Sequence, residues 1–232
     1  MEKHSSQKKK IGKKISFLPS LLRLLQSKSQ KIDMPMPALI RNFRGLPFEL
    51  FSNDIDLIVA TKHRKKATQT IHDACIELNL DCIKYDSMYY TDKFLIKLGN
   101  ENLELDLNFS FFWYFVEFYN VFDLYRSQEV HDGFIILGTY EERTFITFCH
   151  SFLYGGFINT KYINDIRACS TLPYFKFCMQ KIFGRHAKYL LQLIDSEKPV
   201  IPRIHANLIR VVVLLRFATK KILPFRQSKS AI

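Results

Sequence analysis

The chain has 232 residues, 47% of them apolar and 24% charged, a composition that excludes a disordered protein. Its net charge is +12, yet the excess sits at the ends: residues 1–31 carry nine Lys/Arg and one Glu, residues 198–232 carry eight Lys/Arg and no acid, and the middle is left at −4. That pattern argues against nucleic acid as the partner, because such a core carries its positive charge on the folded surface, and it gives the two ends the character of electrostatic tethers.

The first thirty-one residues, "MEKHSSQKKKIGKKISFLPSLLRLLQSKSQK", read as a basic tail followed by a short amphipathic helix over about residues 19–27. Leu21, Leu22, Leu24 and Leu25 form its apolar stripe, which either packs on the domain or lies on an anionic membrane. The apolar stretch is short, is interrupted by Pro19 and Arg23, and lacks a small-x-small cleavage site, so a secretion signal is not expected. "PALIRNF" (37–43) is a strand or a short helix end, and "DIDLIVA" (54–60) is a strand. Residues 62–80 form a helix that opens on the basic run "KHRKK" and carries Ala67, Ile71, Ala74, Cys75 and Leu78 at helical spacing. That basic run is most simply a solvated face.

Short strands follow at 81–85, 93–99 and 103–109, the last two joined by the hairpin turn "GNEN". The aromatic run at 109–125 is either core or a stacking platform, with Trp113 placed to line a site mouth. After about residue 138 the signals are helical, ending in a helix over about 203–222 before Pro224. That last helix is either half-buried or laid on a bilayer. No run reaches the roughly 18 apolar residues of a spanning helix. The fold class is α+β: a small mixed sheet with flanking helices, then a C-terminal helical segment. Its divisions are 1–31, 32–137 and 138–232.

The chemistry concentrates on two aspartates. Alternation along a strand puts Asp54 and Asp56 on one face, about 6–7 Å apart at Cα, with Ile55 and Leu57 turned into the core. Two carboxylates so placed repel unless a cation sits between them, and Mg²⁺ or Mn²⁺ takes oxygen ligands of this kind. A third acid is offered by "LELDLNF", where Asp106 alternates with leucines and Glu104 shares its face. Three acids from adjacent strands suit phosphoryl or nucleotidyl transfer.

The stretch "SNDIDLIV", followed by a helix and then a strand carrying a third Asp, resembles the nucleotidyltransferase superfamily of the DNA polymerase β type, over roughly residues 36–110. The tail "FITFCHSFLYGGFINTKYINDI" is similar to one branch of it, uncharacterised bacterial nucleotidyltransferase-like proteins of surface-polysaccharide gene clusters. Some members of that branch continue into a thymidylate-kinase-like domain, but no G-x-x-x-x-G-K-[ST] stretch occurs here. The resemblance implies Asp54, Asp56 and Asp106 as catalytic metal ligands. It implies a nucleoside triphosphate and a small acceptor as partners. The implied binding positions are Arg41, Arg44 and Gly45 in the preceding loop, Ser52 and Asn53 beside the aspartates, and Lys161 in the tail. The superfamily's Gly-Ser pair, which holds a triphosphate through backbone amides, is missing, and Arg41 and Arg44 stand near its place.

The expected function is therefore metal-dependent transfer of a nucleotidyl group in the cytoplasm, accompanied by peripheral membrane contact through the basic ends. One alternative is a catalytically silent binding or scaffold module of the same fold. A second is a D-x-D glycosyltransferase, against which stands the shortness of the 53 residues before Asp54. A third, nucleic-acid modification, is opposed by the acidic middle. The five cysteines form no C-x-x-C pair and read as reduced, buried thiols. The adjacent Cys149 and His150 are a weak candidate for a nucleophile and its base, and no His/Cys spacing fits zinc.

Overall fold

The computed structural model describes residues 15–32, 34, 38–40, 54–88, 90–114, 116–119, 128–131 and 134–222. The protein is α+β, and the described chain divides into two compact units. The first comprises residues 1–110 and 128–137, and the second comprises 111–127 and 138–232.

The first unit is built on a seven-stranded mixed sheet. Its strands are β1 (Ala38–Ile40), β2 (Asp54–Ile58), β3 (Asp81–Ser87), β4 (Thr91–Leu98), β5 (Glu101–Asn108), β8 (Gln128–His131) and β9 (Phe134–Leu137), in the order β3-β4-β5-β2-β1-β9-β8. The β2–β5 and β1–β9 pairs are parallel and the others antiparallel. The turn between β4 and β5 is the two-residue Gly99-Asn100, with Gly99 at φ +55°, a conformation glycine adopts at little steric cost.

Two helices cover one face of this sheet. Helix α1 (Leu18–Lys31) runs past both ends of the 19–27 expected from the leucine stripe. Leu18, Leu21, Leu22 and Leu25 are buried and Leu24 is partly so, all in the cluster formed with Ile55, Leu57, Phe94, Ile96 and the leucines of β5. The stripe thus packs on the domain. Each such side chain taken out of water contributes about 1.5–3 kcal/mol before entropy is counted. Polar ties add to it: Ser16 donates from backbone and hydroxyl to Glu101, and Lys28 pairs with Glu77 at 2.8 Å. Helix α2 (Arg64–Glu77) buries Ala67, Thr70, Ile71, Ala74 and Cys75. It ends in a Schellman turn: Asn79 is left-handed at φ +52°, its N–H donates to Ile76, and Leu80 donates to Cys75. The expected helix over 62–80 therefore stops short of the strand that its last residues serve.

The second unit holds a short β6 (Phe111–Trp113) and β7 (Val116–Tyr119) ribbon and helices α3 (Tyr140–His150), α4 (Ile163–Ser170), α5 (Pro173–Phe183), α6 (Ala187–Asp195) and α7 (Arg203–Ile222). Helix α3 opens on a capping box in which the Thr139 hydroxyl accepts from the Glu142 N–H and the Glu142 carboxylate accepts from the Thr139 N–H. Its C-terminal end widens into a π-turn over Ser151–Gly155, closed by Gly156 at φ +71°. Phe145, Phe148, Phe152, Phe175 and Phe183 meet edge-on or stacked and make the core. The stretch 175–194, continuous in apolar pattern, is two helices because Gly184 breaks it at φ +55°, ψ −127°. Phe111, Trp113, Val116 and Phe118 are buried, so these members of the aromatic run serve as core.

Candidate functional site

The parallel pairing of β2 with β5 decides the geometry of the acids. Asp56 stands opposite Asp106 and Asp54 opposite Glu104, on strands about 4.8 Å apart. Neighbouring residues in register share a face, so these positions form one acidic patch. The intervening Ile55, Leu57, Leu105 and Leu107 are buried beneath α1 and α2 on the other face. The register therefore assembles the pair that sequence alternation put on one side of each strand.

Burial grades across this patch. Asp56 is 2% exposed, Asp106 half-buried and Glu104 exposed. A carboxylate buried like Asp56 must be hydrogen-bonded, and the Asn108 side-chain amide donates to its Oδ1 at 3.0 Å. The same amide lies within 3.3 Å of the Leu57 and Asp106 carbonyls, and its own oxygen accepts from the Thr91 hydroxyl at 2.9 Å. Asn108 is thus clamped between β2, β4 and β5, and it fixes the rotamer of Asp56.

Asp106 is held from the other side. Lys93, its partner across β4–β5, places Nζ 3.1 Å from Oδ2. Burial disfavours the ammonium, but the hydrogen bond and charge of Asp106, with those of Tyr85 and Glu104, outweigh it and raise its pKa above the ordinary 10.5. Tyr85 borders the same patch: partial desolvation, then the charge of Glu104, push its phenol up, against a smaller opposing pull from Lys93.

Carboxylate oxygens are the hard donors that Mg²⁺ or Mn²⁺ takes, with one or two from protein and the rest from phosphate and water. Asp56 and Asp106 fit that requirement by donor type and by sharing a face. Among the described residues no group of three His, Cys, Asp or Glu is arranged to hold an ion. The Asp54 backbone is described, and its carboxylate is not among the described side chains.

The remaining sequence candidates separate. Arg41, Arg44, Gly45, Ser52 and Asn53 lie outside the described residues. Lys161 belongs to the second unit, exposed on a 3₁₀ turn with its ammonium 5.1 Å from the Tyr162 ring centroid. Cys149 is fully buried, and desolvation raises its thiol pKa well above 9.0, which removes it as a nucleophile. All five cysteines are free thiols.

A second charged cluster, missed in the sequence, lies on the helix-covered face. Asp92 is fully buried and accepts from Arg64 through both oxygens, at 2.5 and 3.1 Å. Lys84, Ser87 and Thr68 complete its shell. Burial alone would raise its pKa, but Arg64, Lys84 and Ser87 bring it from 3.8 down to about 2. Arg64 is therefore a structural cation within a run otherwise read as a solvated face. Its guanidinium also sits 4.6 Å from the Phe109 ring centroid. A cavity of about 600 Å³ lined by α1 and α2 residues, among them Lys28, Lys66 and Asp73, is formed by the helices and not by the acidic patch.

The signal for Lys93 was present in the sequence. Counting five residues outward along both strands from Leu98 and Glu101, which flank the Gly99-Asn100 turn, pairs Lys93 with Asp106. No helix is long and apolar enough to cross a membrane among the described residues.

No protein-family model matches the chain, and no curated protein matches it. Among solved structures, the crystal structure of JHP933 from Helicobacter pylori aligns over 88% of this chain and 95% of its own, at 12% identity and a TM-score of 0.40.

Proposed function

We propose that this chain is a nucleotidyltransferase of the DNA polymerase β type, transferring a nucleotidyl group from a nucleoside triphosphate to a small acceptor in the cytoplasm, in the setting of surface-polysaccharide assembly. The observation that carries the reading is the register of Asp56 with Asp106 on neighbouring parallel strands, on the sheet face opposite α1 and α2. Asp54, Asp56 and Asp106 would hold Mg²⁺ or Mn²⁺. Such an ion, when bound, neutralises the phosphates and the charge that develops on them. The protein's own groups do the rest. Asn108 fixes Asp56, Lys93 holds Asp106 in place, and Asp106 orients the acceptor hydroxyl and takes its proton. Arg41 and Arg44 supply phosphate contacts where the superfamily uses Gly-Ser, and Gly45, Ser52 and Asn53 complete the nucleotide-binding set beside the aspartates.

The test is Asp56→Asn and Asp106→Asn against labelled nucleoside triphosphates with Mg²⁺. Loss of at least about a hundredfold in kcat is expected for each. Turnover that survives both substitutions defeats the reading.

A second reading has its own observation. An ammonium already lies 3.1 Å from Asp106, where a cation is otherwise called for. A catalytically silent module that keeps the fold and binds a partner would retain such an internal counter-ion. Calorimetry separates the two: no heat with Mg²⁺ and any nucleoside triphosphate favours the silent module.

A further inference from the structure

Helix α7 carries apolar side chains on two opposite sides. Ala206, Ile209 and Val213 are buried and dock the helix on its unit. Ile204, Leu208, Val211 and Leu215 are 80%, 56%, 50% and 61% exposed. At 100° per residue these four fall within an arc of about 60°, directly opposite the buried three. Val200, 72% exposed, lies just before the helix begins. An unbroken aliphatic stripe three turns long, turned to solvent, demands a cover.

We propose that this stripe is a docking surface for an anionic lipid bilayer, on which α7 lies flat in the interface plane. Charge selects this occupant. Residues 198–232 hold eight Lys/Arg and no Asp or Glu. Two copies meeting along the stripe would bring these cations together with no acid to offset them. A bilayer with anionic headgroups satisfies both features: aliphatic side chains enter the headgroup–acyl boundary, and the net positive charge of the segment is drawn to the anionic surface. Arg210 and Arg216 lie well over 90° around the helix from the middle of the stripe, toward its docked side. Arg210 donates to the Leu153 and Tyr154 carbonyls and Arg216 to that of Gln180, bonds that fix the guanidinium groups without cancelling their charge. The helix does not span, because five Lys/Arg interrupt its twenty residues. The leucine stripe of α1, by contrast, is already covered by its own unit. The inference is independent of what the acidic patch does.

The experiment is co-sedimentation of the full chain with vesicles of phosphatidylcholine, with and without phosphatidylserine, for wild type and for Leu208→Gln/Leu215→Gln. Glutamine keeps the charge and removes only the apolar contact. Both sites are more than half exposed, so the unfolding midpoint of the variant matches wild type and shows that it folds. Wild type partitions onto phosphatidylserine vesicles, and the double variant loses at least about tenfold in partitioning. Raising salt from about 0.1 M to about 1 M, which shortens screening from about 10 Å to about 3 Å, releases the wild type. Equal binding by the variant overturns the proposal, because the basic segments would then suffice. Absence of wild-type binding overturns it too, as does a wild-type dimer, lost in the variant, that forms without vesicle binding.

Discussion

Lys93 Nζ stands 3.1 Å from Asp106 Oδ2, directly across the β4–β5 ladder, and both side chains are largely shielded from water. It is the cation that allows Asp106 to sit beside Asp56. Replacing it, Lys93→Met, leaves two neighbouring carboxylates without that counter-charge and costs about 1–2 kcal/mol, read as a lowered urea midpoint. Because the folded pKa of Lys93 is raised, its contribution is complete below the ordinary 10.5 and disappears only as pH rises through the folded value. At neutral pH the pair is therefore intact. On the nucleotidyltransferase reading, Mg²⁺ raises the thermal midpoint of Lys93→Met more than that of wild type. A smaller rise would mean that Lys93 assists the ion.

Asn108 bridges three strands through one amide, with Asp56 as its charged acceptor. Asn108→Ala removes a donor from a buried carboxylate and should destabilise by about 1–3 kcal/mol. If Asp56 acts in turnover, kcat falls with little change in KM, because the loss is one of positioning. An effect confined to KM would place Asn108 at the substrate instead.

The Asp92 cluster predicts the acid limb of stability. The folded pKa of Asp92, about 2, lies below its ordinary 3.8. The stabilisation is thus present above pH 3.8 and is lost as pH falls through 3.8 toward about 2. Its size is about 2 kcal/mol. Asp92→Asn flattens this limb and lowers neutral stability by about 2–3 kcal/mol, since Arg64 and Lys84 lose their shared anion. Chemical unfolding at a series of pH values measures both. An unchanged limb would assign the acid transition to other carboxylates.

Gly184 holds φ +55° and ψ −127° between α5 and α6, and a Cβ there would meet the Arg216 guanidinium. Gly184→Ala should cost about 1–3 kcal/mol from backbone strain and displace Arg216 from the Gln180 carbonyl. Arg216→Ala in the same background separates the two: if the glycine cost is purely steric against Arg216, the second substitution restores stability.

Period-two and period-three-point-six patterns made most elements legible. The leucine stripe of α1, the alternation in β2 and β5 and the Gly99-Asn100 turn each follow from local physics that tertiary contacts then reinforce. The strand β4 begins two residues earlier than its apolar run, at Thr91 and Asp92, because a buried aspartate satisfied by arginine has no local signature. For the same reason Arg64 read as a surface charge within "KHRKK". Strands β8 and β9 were not foreseen, as they are short and their place in the sheet depends on β1, far back in the chain. The shared face of Asp54 and Asp56 was readable from strand alternation. The opposition of Asp56 and Asp106 was not, since it needs the parallel β2–β5 register, which no turn fixes.

The placement of β8 and β9 has a consequence for synthesis on the ribosome. The sheet of the first unit is complete only with residues 128–137, although the whole intervening 111–127 segment is allotted to the second unit. A nascent chain that has emerged as far as Ser110 holds β1 with one flank unpaired, an open template for adhesion to another chain. No single cut yields either unit whole, so neither can be made as one uninterrupted fragment, and the final strand pairing must wait until the polypeptide has left one unit and come back.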